Sequence, residues 1–287
     1  MSWQPTEQKL SEVLQLFHKT SAHNTTNEEH YVIFQQLQQL QKNAEFNNYL
    51  AYIMCDLESE SKNIRVQAGF KLKFNVEAHY LSFPLIVKQY IQQKALQSIG
   101  HTIAAIRNCS SSVLCVIAGH EKNSSWTINL VSTLVNSLKN ASTMQLSQLN
   151  GTLLVLNKVC EDFTSLIQIP SMAPILNILF QALLNLLTAN DVKICILSLE
   201  ILNRIFWASP SVFDNVMSIY LQSIFHLAQH SNSQNNVNLK KEICKSLTSL
   251  CEIRLDVMIV SLEGVIQYFI TCTNEKDETV ALEACNF

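Results

Sequence analysis

Ile64-Arg65-Val66-Gln67-Ala68 decides how the rest of the chain is read, because its pattern returns five more times. A cation or amide stands three residues before a small or β-branched residue that suits close helix packing. The pattern recurs as Ile106-Arg107-Asn108-Cys109-Ser110, Ser147-Gln148-Leu149-Asn150-Gly151 and Val192-Lys193-Ile194-Cys195-Ile196. It recurs again as Leu239-Lys240-Lys241-Glu242-Ile243 and, with alanine leading, as Val280-Ala281-Leu282-Glu283-Ala284. The leading positions 65, 107, 148, 193, 240 and 281 are 42, 41, 45, 47 and 41 residues apart. That is the period of helical hairpins stacked in a solenoid, whose function lies in extended surface and not in a catalytic pocket.

The composition agrees. A compact single domain rarely passes about 250 residues, so 287 residues suit a quasi-linear array. Five glycines and five prolines leave few turn signals for a sheet fold. The net charge is −3, and no basic run exceeds Lys240-Lys241, so a nucleic-acid partner is not expected. Nine cysteines at irregular spacing read as small hydrophobes; Cys109, Cys115, Cys160, Cys195, Cys244, Cys251 and Cys285 fall on apolar helix faces. The polar start Met1-Ser2-Trp3-Gln4-Pro5 is not a signal peptide, and a reducing compartment is expected. The sequons at Asn24, Asn108, Asn123, Asn140 and Asn150 then follow from heavy Asn and Ser usage. No charge lies between Asp162 and Asp191, yet Asn177, Gln181 and Asn185 form one polar stripe, so no membrane span is expected.

Apolar spacing gives an opening helix over 7–19 with Leu10, Val13, Leu14 and Phe17 on one face. A second helix, capped near Thr25-Thr26 and running to Asn43, turns Val32, Ile33, Leu37 and Leu40 inward. Pairs of outer and inner helices follow: 46–57 with 61–76, 83–100 with 102–118 ending on Gly119, and 125–138 with 144–160. The next are 171–188 with 191–207 and 211–230 with 237–252, and a last pair opens at 254–271. Ser209-Pro210 and Ser231-Asn232-Ser233-Gln234-Asn235-Asn236 read as turns. The final inner helix starts at Asp277 and stops at Phe287. Val280, Leu282, Ala284 and Phe287 are expected to leave an apolar end that self-associates, as in a truncated last repeat over 277–287.

Nothing in the chain meets the needs of catalysis, and no enzyme or cofactor is expected: the glycines are isolated, and Glu161-Asp162 diverge around a helix end. His226 and His230 share a helix face but lack the further ligands a zinc site requires, so no metal is expected. The recurring cations Arg65, Arg107, Lys193 and Lys240 read first as a structural ladder. In it each satisfies loop carbonyls or acids such as Glu60 and Asp191, and contact with a partner is the competing reading. Lys71, Lys73, Glu77 and Lys158 do not recur with the period and are candidates for partner contact.

Several stretches carry a family resemblance. Arg65-Val66-Gln67-Ala68-Gly69-Phe70-Lys71-Leu72-Lys73, continuing to Asn75-Val76-Glu77-Ala78-His79-Tyr80, is similar to the amino-terminal motif of the importin-β (karyopherin-β) family. Glu45-Phe46-Asn47-Asn48-Tyr49-Leu50, Lys158-Val159-Cys160-Glu161-Asp162 and Asp277-Glu278-Thr279-Val280-Ala281-Leu282-Glu283-Ala284-Cys285 also resemble it. The likeness runs from Trp3 to Phe287, about the first third of a family member, with an importin amino-terminal-like region over 29–100. It implies an all-α, right-handed superhelix of about six to seven HEAT repeats over 1–287. It also implies inner helices that bind the GTP form of the small GTPase Ran, and outer helices that meet phenylalanine-glycine nucleoporins. Import cargo bearing a nuclear localisation signal would bind a carboxy-terminal arch lying mostly outside this chain. The protein would shuttle between cytoplasm and nucleus. By position Lys73 matches the lysine of the family's Leu-Lys-Asn motif, and Lys71, Lys73, Asn75, Glu77 and Lys158 are the candidate GTPase contacts; Phe74 stands where the family carries asparagine, and Thr127 follows Trp126 where it carries proline. Phe180, Phe206 and Phe225 are candidates for nucleoporin contact, though their helical spacing reads as core.

Overall fold

The computed structural model describes residues 3–22, 26–122, 124–234 and 236–286, apart from the side chains of 210, 212, 230–234 and 260. Asn24, Thr25, Asn123 and Phe287 lie outside the described residues, as does the His230 side chain. Among the described residues every regular element is helical. The chain forms two compact units, 1–127 with 144–158 and 128–143 with 159–287.

The first unit holds α1 (Glu7–Ser21), α2 (Asn27–Gln41), α3 (Phe46–Cys55), α4 (Lys62–His79), α5 (Leu85–Ser98) and α6 (Ala104–His120). Two further helices, α7 (Ser125–Leu138) and α8 (Leu146–Asp162), are each divided between the units. The second unit holds a short α9 (Thr164–Ile167), then α10 (Ala173–Leu186), α11 (Val192–Ala208), α12 (Met217–Gln234) and α13 (Val237–Ile253). It ends with a short α14 (Leu255–Met258), α15 (Leu262–Thr273) and α16 (Glu278–Cys285). Consecutive helices pair as α1/α2, α3/α4 and α5/α6 in one unit, and as α10/α11, α12/α13 and α15/α16 in the other. Second helices then pack on second helices, α4 on α6 and α11 on α13 on α16, while α3 packs on α5. These are HEAT-type hairpins: each buries its apolar faces against the next, with no central core.

Helix starts carry the repeat. Ser61 accepts a hydrogen bond from the Ile64 amide at 3.4 Å, and Asp191 accepts from Lys193 and Ile194 at 2.9 and 3.2 Å. Asn236 accepts from Leu239 at 3.0 Å and Asp277 from Thr279 at 2.9 Å, while Thr26 and Glu29 form a reciprocal capping box. Each side chain satisfies amides that no helical turn can reach. At the start of α4, α6 and α13, behind Ser61, Ile103 and Asn236 in turn, the fourth helical residue is a cation with a buried or loop partner. Arg65 is buried, and its Nε and Nη2 donate to the carbonyls of Met54 and Cys55 at 3.1 and 3.0 Å. Arg107 donates through Nη1 to the carbonyls of His101 and Thr102 at 2.6 and 2.9 Å. Lys240, also buried, pairs with Glu275.

Lys193 corrects the ladder expected from sequence. It is exposed and occupies the second place of α11, so the fourth place belongs to Cys195. The Cys195 thiol points at the carbonyls of Leu187 and Ala189, 3.5 and 3.2 Å away, and its burial holds the thiol neutral by raising its pKa. The acids expected to serve the ladder act elsewhere: Glu60 meets His18 at 3.2 Å, and Asp191 is a cap.

Other expectations need correction too. Gly119 lies inside α6, which is closed by Glu121, because no turn is required there. Residues 231–234 continue α12 instead of turning, and Asn236 then caps α13. On α2 only Ile33 is buried; Val32 and Phe34 are about half exposed (51% and 52%), so the inward face is narrower than the apolar spacing implied. Cys251 is half-buried and Cys285 exposed. Val280 and Ala284 are buried, with α16 packed on α13 and α15, leaving Leu282 as the large exposed apolar side chain of that helix. The uncharged stretch after Asp162 behaves as its amide stripe implied: Asn177, Gln181 and Asn185 are exposed, while Leu176, Phe180 and Leu183 are buried. No helix among the described residues is long and apolar enough to cross a membrane.

Three stability effects follow. Arg65→Ala strands two buried carbonyls and should cost about 2–4 kcal/mol in urea unfolding; an unchanged midpoint would refute the corner role. A Cβ on Gly151 would sit 1.7 Å from the Ile99 carbonyl oxygen, so Gly151→Ala should lower stability by roughly 2 kcal/mol or more through a forced backbone shift; a neutral effect would show that the two helices separate freely. Burial, and then the nearby Arg65 charge, hold the His101 imidazole below its ordinary value of 6.5. The unfolded chain therefore takes up that proton first, so this contribution is present above pH 6.5 and is lost as pH falls below it. His101→Gln should flatten that part of the stability profile, and an identical profile would contradict the assignment.

Candidate partner-binding surface

α4 is built to be buried on one side and open on the other. Ile64, Ala68, Leu72 and Val76, four residues apart, are at most 1% exposed. Gly69 permits a close approach: a Cβ there would meet Met54 Sδ at 2.8 Å and Cys109 Cβ at 2.9 Å. Across the helix stand Phe70 and Phe74, 54% and 58% exposed, also four residues apart. Beside them Lys73 places Nζ 4.8 Å from the Phe74 ring centroid and pairs with Glu77 Oε2 at 2.7 Å. This gives a strip of aromatic face, cation and carboxylate along two turns of one helix. Such a strip can stack on, and hydrogen-bond to, a protein partner.

The other implied contacts are placed differently. Lys71 is half-buried, and desolvation lowers its pKa. Lys158 is half-buried near the end of α8. Asn75 is only 1% exposed. Its Nδ2 donates to Asn47 Oδ1 at 2.9 Å, its Oδ1 accepts from Gln41, and Asn47 in turn donates to the Ala44 carbonyl at 3.0 Å. Asn75 therefore ties α2, α3 and α4 together and is not on the accessible strip, which corrects its assignment as a contact. The far end of α4 is anchored by His120, which donates to the Glu77 carbonyl at 3.1 Å and stacks on Tyr80 at 5.4 Å. Thr127, in the place of proline, uses what proline lacks: its amide donates to Ser124 Oγ at 3.3 Å, and its hydroxyl donates to the Glu121 carbonyl at 2.9 Å.

Phe180 and Phe206 are each 1% exposed and pack edge-on against Phe213, with centroids at 4.4 and 4.9 Å. Phe225 is half-buried. Sequence reasoning singled out Phe74 only as a departure from a motif, and missed that Phe70 and Phe74 form an exposed pair. The signal was present: α4 carries apolar residues on two opposite faces, more than one buried face requires.

Residues 34–101, from the middle of α2 through α5, match the family described as importin-beta N-terminal domain. Along 285 residues, 99% of the chain, the sequence is 28% identical to mouse transportin-1, of which it spans 31%. Yeast importin-β, Kap95p, superposes on 96% of the chain with a TM-score of 0.75 at 14% identity, over 33% of its own length. Kap95p in a complex with Nup1 superposes with a TM-score of 0.70 at 15% identity, likewise over 96% and 33%. So does Kap95p in a structure described as inducing the switch loops of RanGDP to adopt the GTP-bound conformation, at 0.70 and 14% identity, over 96% and 32%. The chain thus spans about a third of the curated relatives it matches. With helix pairs stacked as in a HEAT array, a matched amino-terminal domain over 34–101 and likeness to transportin from end to end, this chain is similar to members of the importin-β family.

Proposed function

We propose that the chain is the GTPase-facing segment of a nuclear transport receptor and grips Ran in its GTP form through α4 and its neighbours. The observation that carries this reading is the strip on α4. Within the matched domain, the Lys73–Glu77 pair lies beside two exposed aromatic rings, Lys73 itself half-buried, although the opposite face of the same helix is fully buried. Lys73 and Glu77 are the polar contacts, Lys71 accompanies them on α4, Lys158 on α8 is a further candidate, and Asn75 positions the helix from beneath. The structure of Kap95p with RanGDP, whose switch loops are described as adopting the GTP-bound conformation, supports Ran as the ligand and that conformation as the one gripped. Phenylalanine-glycine nucleoporins are the second partner, supported by the Kap95p complex with Nup1. Phe180 and Phe206 do not contribute there, because their rings are buried. Import cargo belongs to the carboxy-terminal arch of a full-length receptor, and the protein would move between cytoplasm and nucleus.

With a net charge of −3, long-range attraction to a basic partner is weak, so contact quality at the strip sets affinity. Immobilised chain should retain Ran loaded with GTP and not Ran loaded with GDP. Lys73→Glu should weaken retention about tenfold, equivalent to about 1.4 kcal/mol. Equal retention of both nucleotide forms, or of neither, would overturn this reading in favour of a HEAT scaffold without GTPase recognition.

A further inference from the structure

In the first unit, α3 and α5 enclose a cavity of about 140 Å³ together with the segment that leads into α1. Three of its lining side chains are aromatic, Trp3, Tyr52 and Tyr90, and one is a carboxylate, Asp56. The walls are held from behind. The Trp3 indole N–H donates to Glu45 Oε1 at 2.8 Å, and its ring meets those of Tyr49 and Tyr90 edge-on, with centroids at 4.7 and 5.0 Å. The buried Tyr49 in turn accepts a hydrogen bond from the Thr6 amide at 3.3 Å, which ties the leading segment to α3. Tyr90 is buried as well; desolvation, and then the Asp56 charge, raise its pKa and keep the phenol neutral. The rings are set before any ligand arrives, so binding need not order them.

A cation already stands at this cavity. Lys94 Nζ lies 5.6 Å from the Tyr90 ring centroid and 2.5 Å from Asp56 Oδ2. The arrangement favours a positive group between an aromatic face and a carboxylate, through the ring quadrupole and the opposite charge. A primary ammonium suits it imperfectly. It is strongly hydrated, and it carries three donors that water satisfies better than aromatic faces do. A methylated ammonium keeps the charge, exchanges donors for methyl groups, and gives up less hydration on entering an aromatic box. The long Lys94 stem allows its own head group to swing out to solvent when such a group enters. Gln4, Gln93 and Gln97 complete the lining and are exposed, so their carboxamides can hydrogen-bond the main chain on either side of an inserted residue.

We infer that this cavity binds a methylated lysine side chain of a peptide partner, whose methylammonium replaces Lys94 beside Asp56 and against Trp3, Tyr52 and Tyr90. The site lies on α3 and α5, apart from the α4 strip, and does not depend on the GTPase reading.

Fluorescence anisotropy of the intact chain with one labelled peptide in three forms tests it: lysine, trimethyl-lysine, and the neutral tert-butyl isostere of trimethyl-lysine. The trimethyl-lysine form should bind about tenfold more tightly than either of the others. Asp56→Asn and, separately, Trp3→Leu should each weaken it severalfold. Lys94→Gln should strengthen it severalfold, because the internal competitor is gone, and damage to the fold cannot produce such a gain. Circular dichroism melts report whether each variant stays folded; should Trp3→Leu unfold, the Asp56 and Lys94 variants carry the test. Free choline, which has no main chain for the glutamines to meet, should bind more weakly than the peptide. Choline binding as tightly would overturn the assignment to a side chain. Equal binding of the trimethyl-lysine and tert-butyl forms would reveal a merely apolar pocket and overturn the inference. So would affinity unchanged by Asp56→Asn or lowered by Lys94→Gln.

Discussion

The helix pairs depend on how their corners are closed. Carbonyls at the end of one helix have lost their intrahelical partners, and the chain must supply donors from the start of the next. Arg65 does this with two buried N–H groups on the Met54 and Cys55 carbonyls. Arg107 does it for the loop after α5, Cys195 with a neutral thiol after α10, and Lys240 instead makes an ion pair with the loop before α16. At α4, α6 and α11 a polar side chain at the fourth helical position closes the corner, and close packing of α4 on α6 and of α11 on α13 accompanies it. Between α4 and α6 that packing leaves no room for a Cβ at Gly69, which would meet Cys109 Cβ at 2.9 Å.

Function follows from the same division of each second helix into a buried and an open face. In α4 the corner and the buried face hold the backbone, so Phe70, Lys73, Phe74 and Glu77 need not contribute to folding and are available to a partner. The aromatic cavity belongs to first helices instead: Tyr52 and Asp56 stand at the end of α3, Tyr90 and Lys94 on α5, and Trp3 precedes α1. One helix presents a mixed aromatic and basic strip, the pair α3 and α5 an aromatic cavity with one carboxylate.

The helical array and its period were legible in the sequence because apolar spacing and scarce glycine and proline leave few other folds. The register at α11 was not. Recurring cations point to Lys193, whereas the position that recurs in the structure is the fourth helical residue, which there is Cys195. Asn75 looked like surface because asparagine usually is. Its burial depends on Asn47 and Gln41, 28 and 34 residues away, which no local pattern reveals. The cavity between α3 and α5 was invisible for a similar reason: Trp3, Tyr52 and Tyr90 come from three separate segments, and each reads alone as ordinary apolar packing.

Native-state hydrogen exchange on Arg65→Lys measures the corner claim most directly, because lysine keeps the charge and loses the two-pronged donor. If corners hold the array locally, amides of α3 and α4 should lose protection first, with α10 to α13 unchanged. Uniform loss across all helices, or none in α3 and α4, would contradict the account.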